Sequence, residues 1–195
     1  MELKDGIKTF HAKSRKEWRR WLEKNHKKEK SVWLIIYRME SMTPSVYYSE
    51  AVDEALCFGW IDSKPNKRDA ESRYQYFAKR NPKSNWSKIN KEKVSRLLAE
   101  GLMSEAGLEM VQLAKQSGTW TALDKVEALE VPDDLMKLFT TNKTAFKNWE
   151  QFPKSTKRGI LDWIQSAKRT ETRNKRIEET VRLAAKNIRA NQYRT

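Results

Sequence analysis

The chain has 195 residues, 38% hydrophobic and 34% charged, with 40 Lys and Arg against 26 Asp and Glu and a formal charge of +14. Its longest apolar run, Val32 to Tyr37, falls far short of the roughly 18 residues of a membrane span. The opening Met1 to Gly6 has no apolar stretch behind a basic start, so no secretory signal is expected.

Ser14-Arg15-Lys16-Glu17 has the form of a capping box, and Trp18, Trp21 and Leu22 follow at helical spacing, which predicts a helix over 14–26. Ser31 to Met39 is rich in β-branched and aromatic residues and reads as a central strand, with Gly6 to His11 as its candidate partner. A loop over 40–48 holds Pro44. Ser49 then caps a short helix with Val52, Ala55 and Leu56 on its apolar side, stopped by Gly59. Gly59 to Ser63 and Glu71 to Lys79 read as two further strands joined by the polar stretch Lys64 to Asp69. Alternation places Tyr74 and Tyr76 on one face, with Arg73, Gln75 and Phe77 on the other.

After Pro82 the apolar period changes from 2 to 3.6. Helices are predicted from Ser87 to Gly101 and over 104–116, 133–141, 143–151, 155–168 and 170–188. Residues 119–132 form a connection anchored by Trp120 and Leu123 and broken at Pro132. Strands first and helices afterwards give the α+β class: a small antiparallel sheet with flanking helices in the N-terminal half, and a helical C-terminal half. The expected division is an α+β domain over 1–130 and a helical segment over 131–195 packed on it.

The charge is uneven. Residues 1–44 carry a net +6, residues 45–152 carry none, and residues 153–195 carry +8. Such ends attract anionic partners or keep a soluble surface dispersed. A single Cys cannot form an intrachain disulfide, so a cytoplasmic setting is expected. Two His and one Cys leave no thiolate–imidazole cluster for zinc, and neither a metal nor a cofactor is expected.

Candidate residues cluster in three segments. Cys57, between Leu56 and Phe58 and far from His11 and His26, reads as a small buried hydrophobe rather than a nucleophile. Trp60, Asp62, Arg80, Trp86, Ser87 and Asn90 come from two segments joined by a hairpin-length connection, so they can converge at one sheet edge. Asp62 needs a cationic or hydrogen-bonded partner, and Arg80 on the following arm is a candidate for it. That pair would either grip a small polar ligand or lock the hairpin. Ser87 opens a helix whose first amides are free for an anion or for the cap alone. Arg169, Arg173 and Arg176 fall on one helical face, which is either solvated or a site for phosphate or an acidic chain.

The string Tyr48-Ser49-Glu50-Ala51-Val52-Asp53-Glu54-Ala55-Leu56-Cys57-Phe58-Gly59-Trp60-Ile61-Asp62 resembles the YdeI/OmpD-associated family of bacterial proteins. Arg80 with Ser84-Asn85-Trp86-Ser87 and Asn90 carries the same resemblance. Leu98 to Met103 and Ala167-Lys168-Arg169 with Glu171-Thr172-Arg173 and Lys175-Arg176-Ile177 extend it, over about residues 10–190. The resemblance implies a bacteriocin-protection or OmpD-associated role and supplies no catalytic residues. The expected function is therefore binding of a small or polymeric anion without catalysis. The alternatives are a nucleic-acid-binding module, with non-specific binding at low salt, and an enzyme acting on a small anion at Trp60, Asp62, Arg80 and Trp86.

Overall fold

The computed structural model describes residues 2–191. The chain divides into two units at Ala122/Leu123.

The first unit opens with a hairpin of β1 (Leu3–Lys4) and β2 (Ile7–His11). Its turn residues Asp5 and Gly6 both take positive φ, 51° and 74°, as a two-residue hairpin turn demands. Ser14 caps α1 (Arg15–Asn25): its hydroxyl accepts from the Glu17 amide at 3.3 Å, while the Glu17 carboxylate accepts from the Lys13 amide at 2.8 Å. That helix carries the chain over to β3 (Ser31–Tyr37), so β2 and β3 pair in parallel. The hairpin of β4 (Trp60–Lys67) and β5 (Ser72–Lys79) completes a sheet of order β1-β2-β3-β5-β4. The strands over 31–37, 60–67 and 72–79 pair antiparallel as expected, but the β2–β3 crossover makes the sheet mixed.

Central β3 is buried from Val32 to Ile36. Edge strand β4 runs four residues beyond the expected Ser63 and includes Pro65. A proline is tolerated there because an edge strand leaves one row of amides unpaired, and the register shifts between Asp62 and Pro65 to admit it.

Helix α2 (Tyr48–Cys57) starts before the expected cap: Ser49 lies inside the helix, Tyr47 is its N-cap, and the Tyr47 amide donates to Glu50 Oε2 at 3.2 Å. Helices α3 (Lys88–Ala99) and α4 (Glu105–Ser117) follow the predicted positions. Trp18, Leu22, Leu34, Leu56, Trp60, Phe77, Trp86 and Leu97 belong to one buried core with them. The C-terminal end of α2 meets the start of α4 closely. The Cys57 carbonyl accepts from the Ser104 amide at 3.0 Å and from the Ser104 hydroxyl at 2.6 Å. A Cβ at Gly107 would lie 2.2 Å from that same carbonyl oxygen.

Seven consecutive α2 residues, Ala51 to Cys57, are buried, two of them acidic. Glu54 is clamped by Arg15 Nε at 2.6 Å and Arg19 Nη1 at 2.7 Å, both from α1. Asp53 is clamped by Lys93 at 2.5 Å and by Arg96, both from α3. Buried carboxylates demand such partners, so these pairs set how α1 and α3 sit on α2.

The second unit contains α5 (Asp124–Glu127), α6 (Asp133–Thr141), α7 (Lys143–Gln151), α8 (Lys154–Gln165) and α9 (Thr170–Ala184). Leu135, Phe139, Trp149, Ile160, Ile164 and Ile177 form its own core. The expected connection over 119–132 contains α5, whose Val126 is buried in this core. Among the described residues no strand follows Lys79, and no helix is long and apolar enough to cross a membrane.

A cationic cavity as candidate functional site

In the sheet of the first unit Ile36 stands opposite Arg73, and Arg73 stands opposite Lys67. Directly paired residues share a face, so the three form a row across β3, β5 and β4. The first turn of α2 ends over this row. Between them lies a cavity of about 710 Å³ whose wall includes Tyr37, Arg38, Met39, Tyr47, Tyr48, Ser49 and Asp69 beside that row. Met39 and Tyr47 are 79% and 53% exposed, large apolar side chains open to solvent at the cavity.

The electrostatics are lopsided. Arg38, Lys67 and Arg73 have no carboxylate within ion-pair distance among the described residues. The Arg73 guanidinium lies 5.3 Å from the centre of the Tyr48 ring, a cation–π contact. Asp69, the acid on the wall, is already saturated. Its Oδ1 accepts from the amides of Glu71 and Ser72 at 2.9 and 2.7 Å, and its Oδ2 from Arg68 and the Ser72 hydroxyl, both at 2.9 Å. The Ser72 hydroxyl, followed by the Glu71 amide, holds the Asp69 carboxyl below its ordinary range. The Tyr48 hydroxyl donates to Asp62 Oδ2 at 2.5 Å and ties α2 to β4. Burial, and then this bond, pushes the Tyr48 phenol up to about 12.

The six positions expected to converge do not line this cavity. Trp60 and Trp86 are 1% and 2% exposed and belong to the core. The Trp60 indole N–H donates to the His26 carbonyl at 3.3 Å, and Trp86 packs against Trp120 with ring centres 5.0 Å apart. Asp62 and Arg80 form no ion pair. Asp62 stands opposite Phe77, three residues short of Arg80, and each turns to a nearer partner: Asp62 to Tyr48, Arg80 to the Asn85 carbonyl at 2.6 Å. Arg80 also lies 3.8 Å over the Trp86 ring, and burial pushes its guanidinium down to about 10. The Ser87 hydroxyl accepts from the Asn90 amide at 3.3 Å and so caps α3. Cys57 is buried, and burial pushes its thiol up to about 11, which suits packing rather than attack.

The expected row of three open guanidinium groups on α9 is not formed either. Arg173 makes a two-pronged pair with Asp134 of α6 at 2.6 and 3.0 Å. Arg176 lies over the Trp163 ring and donates to the Trp163 carbonyl and, at 3.0 Å, to the Ser166 hydroxyl. Only Arg169 of the three stands without a partner among the described residues.

Arg38, Lys67, Tyr47 and Met39 carry no mark in the sequence that separates them from ordinary surface residues. Arg73 does. Strand alternation puts it on the same face as buried Gln75 and Phe77, and a cation on a core-facing position is an anomaly that points to a recess. Among the described residues no group of three or more His, Cys, Asp or Glu could hold a metal ion.

Two family models match the chain. Residues 10–110 match one described as a domain of unknown function, DUF8412, and residues 128–187 match one described as "Bacteriocin-protection, YdeI or OmpD-Associated". The string Tyr48 to Asp62 falls inside the first match and the Ala167 to Ile177 stretch inside the second. The YdeI/OmpD-associated match therefore covers the C-terminal part rather than the 10–190 expected. No curated protein and no solved structure matches. The first match spans just over half of the chain: the protein belongs to the DUF8412 family and carries a YdeI/OmpD-associated domain in its C-terminal part.

Proposed function

We propose that the first unit is a binding module for a small anionic molecule held in the Arg38–Lys67–Arg73 cavity. On this reading the protein works in the cytoplasm and serves bacteriocin protection or tolerance of envelope stress by binding rather than by catalysis. One observation carries it: three cations without an ion-pair partner among the described residues line a cavity walled also by three tyrosines and a methionine. Cations left unpaired at a recess repel one another until an anion joins them. The Tyr48 phenol, pushed up to about 12, stays protonated at neutral pH and serves as a donor to Asp62 rather than as a base.

The test uses a fluorescent aromatic anion, 8-anilinonaphthalene-1-sulfonate, and its uncharged analogue N-phenyl-1-naphthylamine. The folded protein should bind the sulfonate saturably and the neutral compound far more weakly. Replacing Arg38 and Arg73 together by Gln should weaken the sulfonate about tenfold or more, as expected for losing charge-assisted contacts. Equal binding by wild type and variant would remove the cavity from the argument.

A further inference from the structure

We infer that the occupant of this cavity is a phosphate monoester carried on a flat aromatic group, the chemistry of a mononucleotide. The inference rests on the reading of the cavity as an anion site and narrows it from three observations.

The first is the amount of charge. Arg38, Lys67 and Arg73 supply three positive charges, against which the neighbouring Asp69 keeps one negative charge, turned toward Arg68 and its own turn, so the recess stays net positive. A monocarboxylate would still leave the recess net positive. A phosphate monoester carries about 1.5 to 2 negative charges at neutral pH and offers three acceptor oxygens. Two of the cations are guanidinium groups, whose planar forks match phosphate oxygens in pairs.

The second observation is the chemistry of the walls. Tyr37, Tyr47, Tyr48 and Met39 contribute three aromatic rings and a polarisable thioether to the wall beside its cations and hydroxyls. Stacking on tyrosine is the sequence-tolerant way to hold a base, because every base has a π-face. Methionine adds favourable contact with aromatic rings. The Tyr48 hydroxyl is occupied by Asp62 and the Tyr37 hydroxyl accepts from Arg68, so their rings are held in place before any ligand arrives. Such preorganisation lowers the cost of binding.

The third observation is size and continuation. About 710 Å³ lies in the range of small-molecule sites, and a second recess of about 300 Å³ shares Tyr37, Arg38, Met39 and Tyr47 with it. That recess leads to Lys13, a further cation whose ammonium has no partner among the described residues. Both recesses together suit a ring, a sugar and a charged end better than a compact inorganic ion.

Isothermal titration at pH 7.5 with adenosine 5′-monophosphate, adenosine, inorganic phosphate and 2-naphthoate tests the inference. Adenosine monophosphate should bind at least tenfold more tightly than each of the other three. Its affinity should fall below about pH 6, where the second phosphate proton returns, while that of 2-naphthoate holds. Arg73→Gln should weaken the nucleotide about tenfold. Tyr47→Ala should weaken the nucleotide and leave inorganic phosphate unchanged. All these side chains are solvent-exposed, and circular dichroism checks that each variant is folded. If 2-naphthoate binds as tightly as the nucleotide, the phosphate assignment falls and the anion cavity stands. If adenosine binds as tightly as its monophosphate, or if no anion binds, both fall. An eight-residue oligothymidylate binding more tightly than the mononucleotide would overturn the small-molecule assignment in favour of single-stranded nucleic acid.

Discussion

Replacing Arg15 and Arg19 together by methionine should lower the stability of the first unit by about 3–5 kcal/mol, the cost of stranding a buried charge. The Glu54 side chain is 3% exposed, and the two guanidinium groups at 2.6 and 2.7 Å are its ion-pair partners. The arginines themselves are 35% and 28% exposed, so relief of their own desolvation offsets part of the loss. Methionine keeps most of each aliphatic stem packed, which isolates the charge from the packing. Arg19 also donates to the Leu102 carbonyl at 3.0 Å, which adds about 1 kcal/mol. Adding Glu54→Gln to the double variant should recover about 2 kcal/mol or more, because a neutral amide is cheaper to bury than a carboxylate. Urea unfolding followed by tryptophan fluorescence reports on this core through Trp18, Trp60 and Trp86. A loss below about 1 kcal/mol in the double variant, or a further loss on adding Glu54→Gln, would refute the reasoning.

Gly107→Ala should destabilise the first unit by about 1–3 kcal/mol, because the new methyl would lie 2.2 Å from the Cys57 carbonyl oxygen, which belongs to rigid backbone. Unchanged thermal unfolding would show that α4 is free to move away. In an ultraviolet titration of the tyrosines one group, Tyr48, should ionise near pH 12. Because its folded value is raised, it contributes stability that is complete below about pH 10 and is lost as pH rises through 12. Asp62→Asn should lower that late midpoint only in part, since burial is the larger cause. On a heparin column Arg169→Gln should elute at lower salt than Arg173→Gln, because the Arg169 guanidinium has no partner among the described residues and can contact a sulfate directly, while that of Arg173 is held by Asp134. The reverse order would mean that the Arg173–Asp134 pair opens in solution.

Much of the first unit and nearly all of the second was legible in the chain. Capping residues stand where the helices begin: Ser14, Ser87, Ser104 and Asn142 each accept a hydrogen bond from the first turn. Apolar spacing marked the core faces, because 2 and 3.6 are local periods that need no knowledge of what lies opposite. What these local signals could not decide was partnership. The parallel pairing of β2 and β3 follows from α1 packing its Trp18 face against the sheet, a relation between distant segments. The same holds for charge. Asp53 and Glu54 look like surface acids on a short helix, and only the arrival of α1 and α3 makes them buried anchors.

The candidate site divides along the same line. Aromatic density around Trp60 and Trp86 drew the eye, but tryptophan is the largest apolar side chain, and a unit with a small sheet needs it for its core. Sequence by itself determined the fold class, the approximate place of most helices and the excess of positive charge. Helix α5 and the ends of α8 at Gln165 and α9 at Ala184 differ from the expected connection and from the expected 168 and 188. The tertiary structure alone decided which cations stay without partners, because that depends on which carboxylates come within a few ångströms across 30 to 40 residues of chain. Arg173 found Asp134, Arg15 and Arg19 found Glu54, and Arg38, Lys67 and Arg73 found no carboxylate among the described residues. Ion pairs across folded segments are set by packing geometry, which no local period records.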